Sequence, residues 1–408
     1  MYSLHLSHLK KTQIASLVAV SIAACLIVVG CGNFLPTRPL VEINRKDCVT
    51  YDPQTDYFPV KAKLNYARGF QVSYHQHYKV VTVNRPYKSA ESPIQYVLVQ
   101  CGTPVPAGFS KQQVILIPVG SVIALSTTHL PHLERLELLD RLVGVANANL
   151  VYSPQIQARL KQKQIQEVSR NDRLDYEQII QLQPDLITTF AIGNSQTDTH
   201  PKLKELGLQV VINSEYLEES PLGQAEWLKF TALFFNREAQ AEQEFQRIAA
   251  RYQQIAQLAG QVVRRPTVIT GSHQRGTWYI AGGRSHVAQL LAAAGANYIF
   301  QADNSLGSIP LSFEAVFTRG RTADVWLVNT PNWGTLEDVA ADDPRYRAFL
   351  AFQKRQVFNN NRRVSAGGGN DYWESGILNP DLVLADLVKI LHPELLPEHE
   401  LVYFQKLE

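Results

Sequence analysis

The stretch from Ser220 to Gly260 limits what this chain can fold into more than any other. Ser220-Pro221 pairs an N-cap residue with the proline favoured at the first helical position, and Trp227, Phe230 and Phe234 recur behind it at helical spacing. Asn236 interrupts. From Arg237 to Ala259 no glycine or proline intervenes, and Ala241, Phe245, Ile248, Ala249, Tyr252, Ile255, Ala256 and Ala259 make one apolar stripe among Glu, Gln and Arg. At 1.5 Å per residue this second helix is roughly 34 Å long. Taken alone it reads equally as a surface helix of one domain or as a strut between two lobes. Alternating strand and helix patterns lie on both sides of it, and they favour the strut.

Before the strut, residues 121–220 read as one α/β lobe. Its strands are Val122 to Ser126, Arg141 to Val145, Asp185 to Phe190 and Gln209 to Ile212, with a helix capped at Ser153-Pro154. After it, residues 261–392 repeat the texture: strands Thr267–Thr270, Trp278–Ile280, Asp324–Val328 and Gln356–Phe358, and helices His286–Ala294 and Ile377–Leu391. Ahead of both, residues 65–120 alternate over short runs with turn residues between, which predicts a small antiparallel β unit. His75 and His77 share a face there, but no third ligand is nearby and a solvated strand face is the simpler reading. The tail, 393–408, is rich in Pro and Glu and predicts only packing on the surface.

The N-terminus has a different texture. Lys10-Lys11 precede an apolar run from Ile14 to Gly30, suited to a secretory signal and too short and wrongly flanked for a spanning helix. It ends in Val28-Val29-Gly30-Cys31, which resembles a bacterial lipobox with Cys31 as the lipid-bearing residue. Ile22-Ala23-Ala24-Cys25 fits the same short pattern, but five more apolar residues follow it, and a plain signal peptide or an uncleaved anchor is the other reading. The expectation is a signal peptide over 1–30, a proline-rich tether over 31–64, and a mature protein outside the cytoplasmic membrane, held by its lipid anchor. In that compartment Cys48 and Cys101 can form a disulfide, and a buried free thiol at Cys101 is an equal alternative. A net charge of +2 over 408 residues points to no nucleic-acid partner.

Two passages match across the strut. LDYEQIIQLQPDLITTF (174–190) and LSFEAVFTRGRTADVWLV (311–328) each give an N-cap, an aromatic, a glutamate, a short helix and an Asp-led apolar strand. Glu177 and Glu314 stand two residues beyond the caps Asp175 and Ser312. An acid in a first helical turn complements the macrodipole by about 0.3–1 kcal/mol, which accounts for either glutamate alone. Their equal placement is what a duplicated architecture with two equivalent surface acids would show.

At these residues the chain resembles the substrate-binding proteins of bacterial ABC importers of the iron-complex and cobalamin class, over roughly 121–391. The resemblance implies an α/β fold of two Rossmann-like lobes joined by a single long helix, here with the small N-terminal β unit added. It implies a metal chelate carried in the cleft as transported ligand, no intrinsic cofactor, and a permease dimer as partner. Ferric siderophore is the first candidate, with haem and corrinoid beside it. Glu177 and Glu314 match the glutamates that dock on the permease in that family.

The cleft can also be read from the residues. In open α/β sheets ligands bind beyond the carboxyl ends of the strands. Loops at those ends carry His129 and His132, Tyr152 and Phe190 in the first lobe. In the second they carry His273, Arg275, Trp278, Asn332-Trp333 and, in GGGNDYWESG (367–376), Asn370, Asp371, Tyr372 and Trp373. Aromatics at loop tips suit a large, partly planar ligand, Arg275 suits an anionic group, and three glycines let a loop approach closely. A direct metal site would need His129, His132, His273 and Asp371 to converge, and the abundance of aromatics favours a chelated metal instead. No nucleophile elbow, P-loop or dinucleotide fingerprint follows any strand, and Ser285-His286 are adjacent without further support. The expectation is a binding protein and not an enzyme. An extracytoplasmic hydrolase and a ligand-sensing lipoprotein without a permease are the other readings.

Overall fold

The computed structural model describes residues 48–171 and 173–408. The signal segment, Cys31 and the tether up to residue 47 lie outside the described residues.

The chain first builds a four-stranded sheet from β1 (Phe70–Tyr74), β2 (Tyr78–Val83), β3 (Ile94–Gln100) and β4 (Val114–Ile117), in that spatial order. The first three strands are antiparallel, as alternation predicts, but β4 joins β3 in parallel, so the sheet is mixed. A parallel neighbour needs a crossover, and residues 101–113 supply it. Cys101, at the start of that crossover, is disulfide-bonded to Cys48, with the Cα atoms 4.7 Å apart.

The next segment is a doubly wound unit. It runs through β5 (Val122–Ala124), α1 (Leu130–Arg135), β6 (Leu142–Val145), α2 (Pro154–Lys161), β7 (Gln166–Glu167), the small hairpin β8 (Ser169–Arg170) and β9 (Arg173–Leu174), α3 (Tyr176–Leu182), β10 (Leu186–Thr189), α4 (His200–Glu205) and β11 (Val210–Ile212). The parallel sheet has the order β11-β10-β5-β6-β7. β5 and β11 are short, wholly apolar and fully buried runs, and β10 begins apolar before Thr188 and Thr189, because helices cover both faces. Strand order reverses between β5 and β10, so the loops that leave them part to opposite sides and open a crevice.

Two helices follow, α5 (Pro221–Leu233) and α6 (Glu238–Gly260). Every residue of α5 except Thr231 is buried, so it is a core helix. The buried residues of α6 lie on one stripe, Ala241, Phe245, Ile248, Ala249, Tyr252, Ile255 and Ala259, with Glu238 at its first turn. The chain thereby passes from one parallel sheet to the other.

The second sheet comes from β12 (Thr267–Thr270), a small antiparallel insert of β13 (His273–Gln274) and β14 (Thr277–Ala281), α7 (His286–Ala293), β15 (Asn297–Tyr298), β16 (Ser308–Leu311), α8 (Phe313–Gly320), β17 (Val325–Val328), α9 (Leu336–Asp342), α10 (Leu350–Gln353), β18 (Val357–Asn359), α11 (Ser375–Leu378), α12 (Pro380–Leu391) and β19 (Gln405–Lys406). The sheet order is β15-β12-β17-β18-β19. The tail is therefore more than surface packing: β19 adds an antiparallel edge strand, and Tyr403, Phe404 and Leu407 are buried. The buried Asp386 carboxylate fixes it by accepting the N–H groups of Val402, Tyr403 and Phe404.

Buried charge fastens the N-terminal segment to α5 and α6. The Glu226 carboxylate accepts N–H bonds from Asn65, Tyr66 and Ala67, and Glu218 accepts those of Arg68 and Gly69 and the Trp227 indole. Lys79, fully buried, pairs with Glu238 and donates to the Leu233 carbonyl at 2.9 Å. Buried charge is costly unless it is paired or well hydrogen-bonded: Lys79 pairs with Glu238 and Glu226 with Lys229, and Glu218 is held by its three N–H donors. The sheet β1–β4 is thus part of the same core as the two parallel sheets.

Candidate functional site

Three of the loops at the carboxyl ends of the first sheet follow β5, β6 and β10. After β5, Ser126 caps a short turn that points His129 inward. Its Nδ1 meets Thr188 Oγ1 at 3.1 Å, and its Nε2 lies 3.9 Å from Glu215 Oε2. Burial holds the imidazole neutral and takes its pKa down to about 3, with His132 adding to the shift. His132 is likewise buried, bonded to Thr231 and lowered to about 3. The expectation that His129 reaches a ligand is corrected: it supports the loop from below. Glu215 beside it is pushed by burial to about 7, against the hydrogen bond that Thr128 donates to it.

After β10, the loop carries Phe190, 44% exposed, and then Ile192, also exposed. The Asp198 carboxylate folds this loop back by accepting the N–H groups of Ile192, Gly193 and Asn194.

The loop after β6 meets the second half of the molecule. Tyr152 and Ser153 donate their backbone N–H groups to Glu374 at 2.7 and 2.9 Å. The Tyr152 hydroxyl accepts from Arg363 Nε at 3.2 Å, and the guanidinium lies over its ring. Arg363 also pairs with the buried Asp371 at 3.0 Å. Two of the three glycines serve this junction: a Cβ at Gly367 would run into Asn149 and one at Gly369 into the Leu150 backbone, and Ser365 Oγ donates to the Asn149 carbonyl at 3.0 Å, while Gly368 takes a φ of 92° in open space. Their close approach is to the first half of the chain. Glu374 is pushed up to about 7 by burial, with Asp371 and Glu134 raising it further and the two N–H bonds opposing.

The remaining residues divide. Asn370 accepts from the Tyr372 N–H and shapes the turn. Tyr372 is buried against Tyr403 and Phe404, whereas Trp373 is 39% exposed with its edge on Tyr372. Arg275 sits exposed at the turn between β13 and β14, with φ of 50°. His273 is half-buried, its N–H donated to the Tyr346 hydroxyl at 3.1 Å. Two assignments are corrected. Trp278 is completely buried, stacked on Trp326, and its indole N–H is satisfied by the Thr270 carbonyl at 3.0 Å. Trp333 is buried on Trp326 and Tyr346. Both are core residues, because β14 turns alternate residues inward and the Trp326–Tyr346–Phe349 cluster needs large rings to fill it.

The structure therefore leaves Phe190, Tyr216 and Trp373, with Leu150, Ile192, Leu306 and Val364, as exposed groups with apolar surface on carboxyl-end loops of the two sheets. A cavity of about 740 Å³ lies elsewhere, between the C-terminal ends of α6 and α12 and the amino ends of β12 and β17, lined by Leu258, Val262, Arg264, Asp324, Lys354 and His392. It is at the wrong end of the strands for the crevice that the topology creates. Among the described residues no group of three or more His, Cys, Asp or Glu converges as a metal centre. Glu374, Arg363 and Glu215 carry no sequence signal, since the contacts that tie them to the junction or to His129 come from distant parts of the chain, Tyr152 for Glu374 and Arg363 and Thr128 for Glu215.

The paired caps take the same form: Asp175 accepts from Gln178 N–H at 3.1 Å and Ser312 from Ala315 N–H at 3.2 Å. Glu177 and Glu314 follow, both exposed, and Glu314 lies 3.5 Å from Arg345.

Comparison with known proteins accords with this architecture. An uncharacterized lipoprotein of Methanocaldococcus jannaschii is 25% identical over 412 aligned residues, covering 96% of each chain. An ABC transporter substrate-binding protein from Listeria monocytogenes superposes with a TM-score of 0.51 at 16% identity, covering 67% of this chain and 99% of the other. A periplasmic heme binding protein from Pseudomonas aeruginosa gives 0.52 at 18% identity, covering 68% and 94%. A family model described as periplasmic binding protein matches residues 122–362, which take in both parallel sheets up to β18 and the helices between them. With more than half of the sequence inside that match, this chain belongs to the periplasmic binding protein family.

Proposed function

We propose that this protein is the extracytoplasmic substrate-binding component of an ABC importer, which captures a metal chelate and delivers it to a permease dimer. The observation that carries the reading is the pair of solvent-exposed aromatics, Phe190 and Trp373, one on a carboxyl-end loop of each parallel sheet. Exposed aromatic area on the loops of a doubly wound unit suits a partly planar ligand with a buried metal. A ferric siderophore is the first candidate. Haem is the second, and the likeness to a fold whose Pseudomonas aeruginosa example is a heme binding protein supports keeping it. Glu177 and Glu314 are the proposed permease contacts, and Cys31 the proposed lipid attachment. Fluorescence titration with haemin, a ferric siderophore and cobalamin tests the reading: Trp373 should be quenched by one of them, and the signal change should be lost in Trp373→Phe. Absence of saturable binding to all three would reject it.

A further inference from the structure

The loop between β2 and β3, residues 84–93, belongs to neither parallel sheet, yet it lies over the carboxyl end of the first. Its stem is pinned to the sheet edge, where the Tyr96 hydroxyl accepts the Ile212 N–H at 2.9 Å. Further out, the buried Ser214 hydroxyl donates to the Pro86 carbonyl at 2.8 Å. Its tip rests on the loop that follows β10. Gly193, at φ of 82°, faces Tyr87 and Ser89 so closely that a Cβ there would come within 2.6 Å of Ser89 Oγ and 2.9 Å of the Tyr87 ring. The Tyr216 hydroxyl completes the arrangement by donating to the Ala191 carbonyl at 2.6 Å.

These contacts place a second rim beside Phe190 and Ile192. The rim exposes Arg85 and Lys88 against a single acid, Glu91, and Arg85 is within electrostatic reach of the Tyr216 hydroxyl. Of the acids of the first sheet at this end, Asp198 is turned inward to three backbone N–H groups, and its charge acts with that of Arg85 on the Tyr216 hydroxyl. Glu215 is buried, and Arg85 and Lys88 are the cations that the rim itself exposes.

We propose that residues 84–93 form a wall of the ligand cleft, in which Tyr87 braces the Phe190–Asn194 loop and Arg85 and Lys88 select ligands bearing an acidic group. The proposal rests on the chelate-binding reading above. It gives the N-terminal sheet a role in specificity. Cations at the rim of a low-dielectric cleft raise the local concentration of anions and favour them over neutral ligands of the same size.

The test uses the mature chain and two iron chelates of similar bulk, an anionic ferric tris-catecholate and a neutral ferric tris-hydroxamate, titrated at low and high salt. The wild type should bind the anionic chelate more tightly, with an advantage that shrinks as salt rises. Arg85→Glu/Lys88→Glu should weaken the anionic chelate by about tenfold or more and change the neutral one by no more than about twofold. An unchanged affinity of the double variant for the anionic chelate, or a wild-type preference for the neutral one, overturns the proposal while the chelate-binding reading stands. A wild type that binds neither chelate overturns the proposal and leaves haem or corrinoid for the broader reading. The brace is tested without ligand: Tyr87→Ala should speed amide hydrogen exchange in residues 190–194, and unchanged exchange overturns that half.

Discussion

Glu374 accepts the Tyr152 N–H at 2.7 Å, a contact between residues 222 positions apart that ties the loop after β18 to the loop after β6. The same carboxylate accepts the Ser153 N–H at 2.9 Å, so it caps the entry to α2 from outside that helix. Two backbone donors at the junction depend on one buried side chain. Glu374→Ala should therefore leave both donors without a partner, at about 1–3 kcal/mol each. Urea denaturation should show a loss of roughly 2–5 kcal/mol, with Glu374→Gln losing less because its single amide oxygen can still accept one of the two N–H groups, which bind different oxygens of the carboxylate. Equal losses in the two variants would contradict the hydrogen-bonding role.

The buried histidines set an acid limit. His129 and His132 titrate near 3 in the folded chain, well below the ordinary histidine value of 6.5, because burial disfavours their charged forms. Unfolding below about pH 6.5 thus takes up protons, and their stabilising contribution, complete above that pH, is lost as the pH falls towards 3. Glu374 works the other way. Its folded value of about 7 exceeds the ordinary 4.5, so its contribution is complete below 4.5 and is lost as the pH rises through 7. Denaturation between pH 4 and 8 should give a shallower acid decline in His132→Gln than in the wild type. The stability difference between wild type and Glu374→Gln should shrink from pH 5 to pH 7.5. An acid decline that His132→Gln leaves unaltered would contradict the assignment.

Trp278 and Trp373 should behave as opposites. Trp278→Ala removes a completely buried ring from the Trp326–Tyr346–Phe349 cluster and should cost about 3–5 kcal/mol of stability. Trp373→Ala should leave the denaturation midpoint close to wild type and weaken haemin or ferric-chelate binding by roughly 1–3 kcal/mol. A large stability loss at Trp373 would move it to the core.

That contrast also shows what the sequence could and could not reveal. The parallel strands and the long helix were legible because each writes its burial locally, as an apolar run or a stripe at helical spacing. The inward side of β14 was legible too: in TWYIA, Trp278 and Ile280 share the buried face and Tyr279, on the other, is 51% exposed. Reading Trp278 as a loop-tip aromatic overlooked that period. His129 offered no such local sign. Its partners, Thr188 and Glu215, come from other strands' ends, and a loop histidine that turns inward looks like one that turns outward. The parallel attachment of β4 and the edge strand β19 rest on crossovers and on Asp386, whose backbone partners begin 16 residues later. Periodicity carries neither.

Glu177 and Glu314 give a prediction about partnership. Both are exposed in first helical turns, and the weak pair of Glu314 with Arg345 is largely in solvent. Replacing each by Lys should change stability little, since exposed pairs are worth at most about 1 kcal/mol. If the two acids dock on cations of a permease, the double reversal should abolish ligand-dependent stimulation of its ATPase while ligand affinity stays at the wild-type level. Full stimulation by the double variant would assign both glutamates to their own helix dipoles alone.

The proposed cargo is a metal chelate held in the cleft between the two parallel sheets. Protein purified from its native envelope, without added ligand, should be assayed for metal content and for its visible absorption spectrum. Bound metal approaching one equivalent per chain, with a charge-transfer, Soret or corrinoid band that disappears when Phe190 and Trp373 are both replaced by Ala, is the predicted result. Metal-free, colourless protein that also fails to take up haemin, a ferric siderophore or cobalamin on incubation would contradict it.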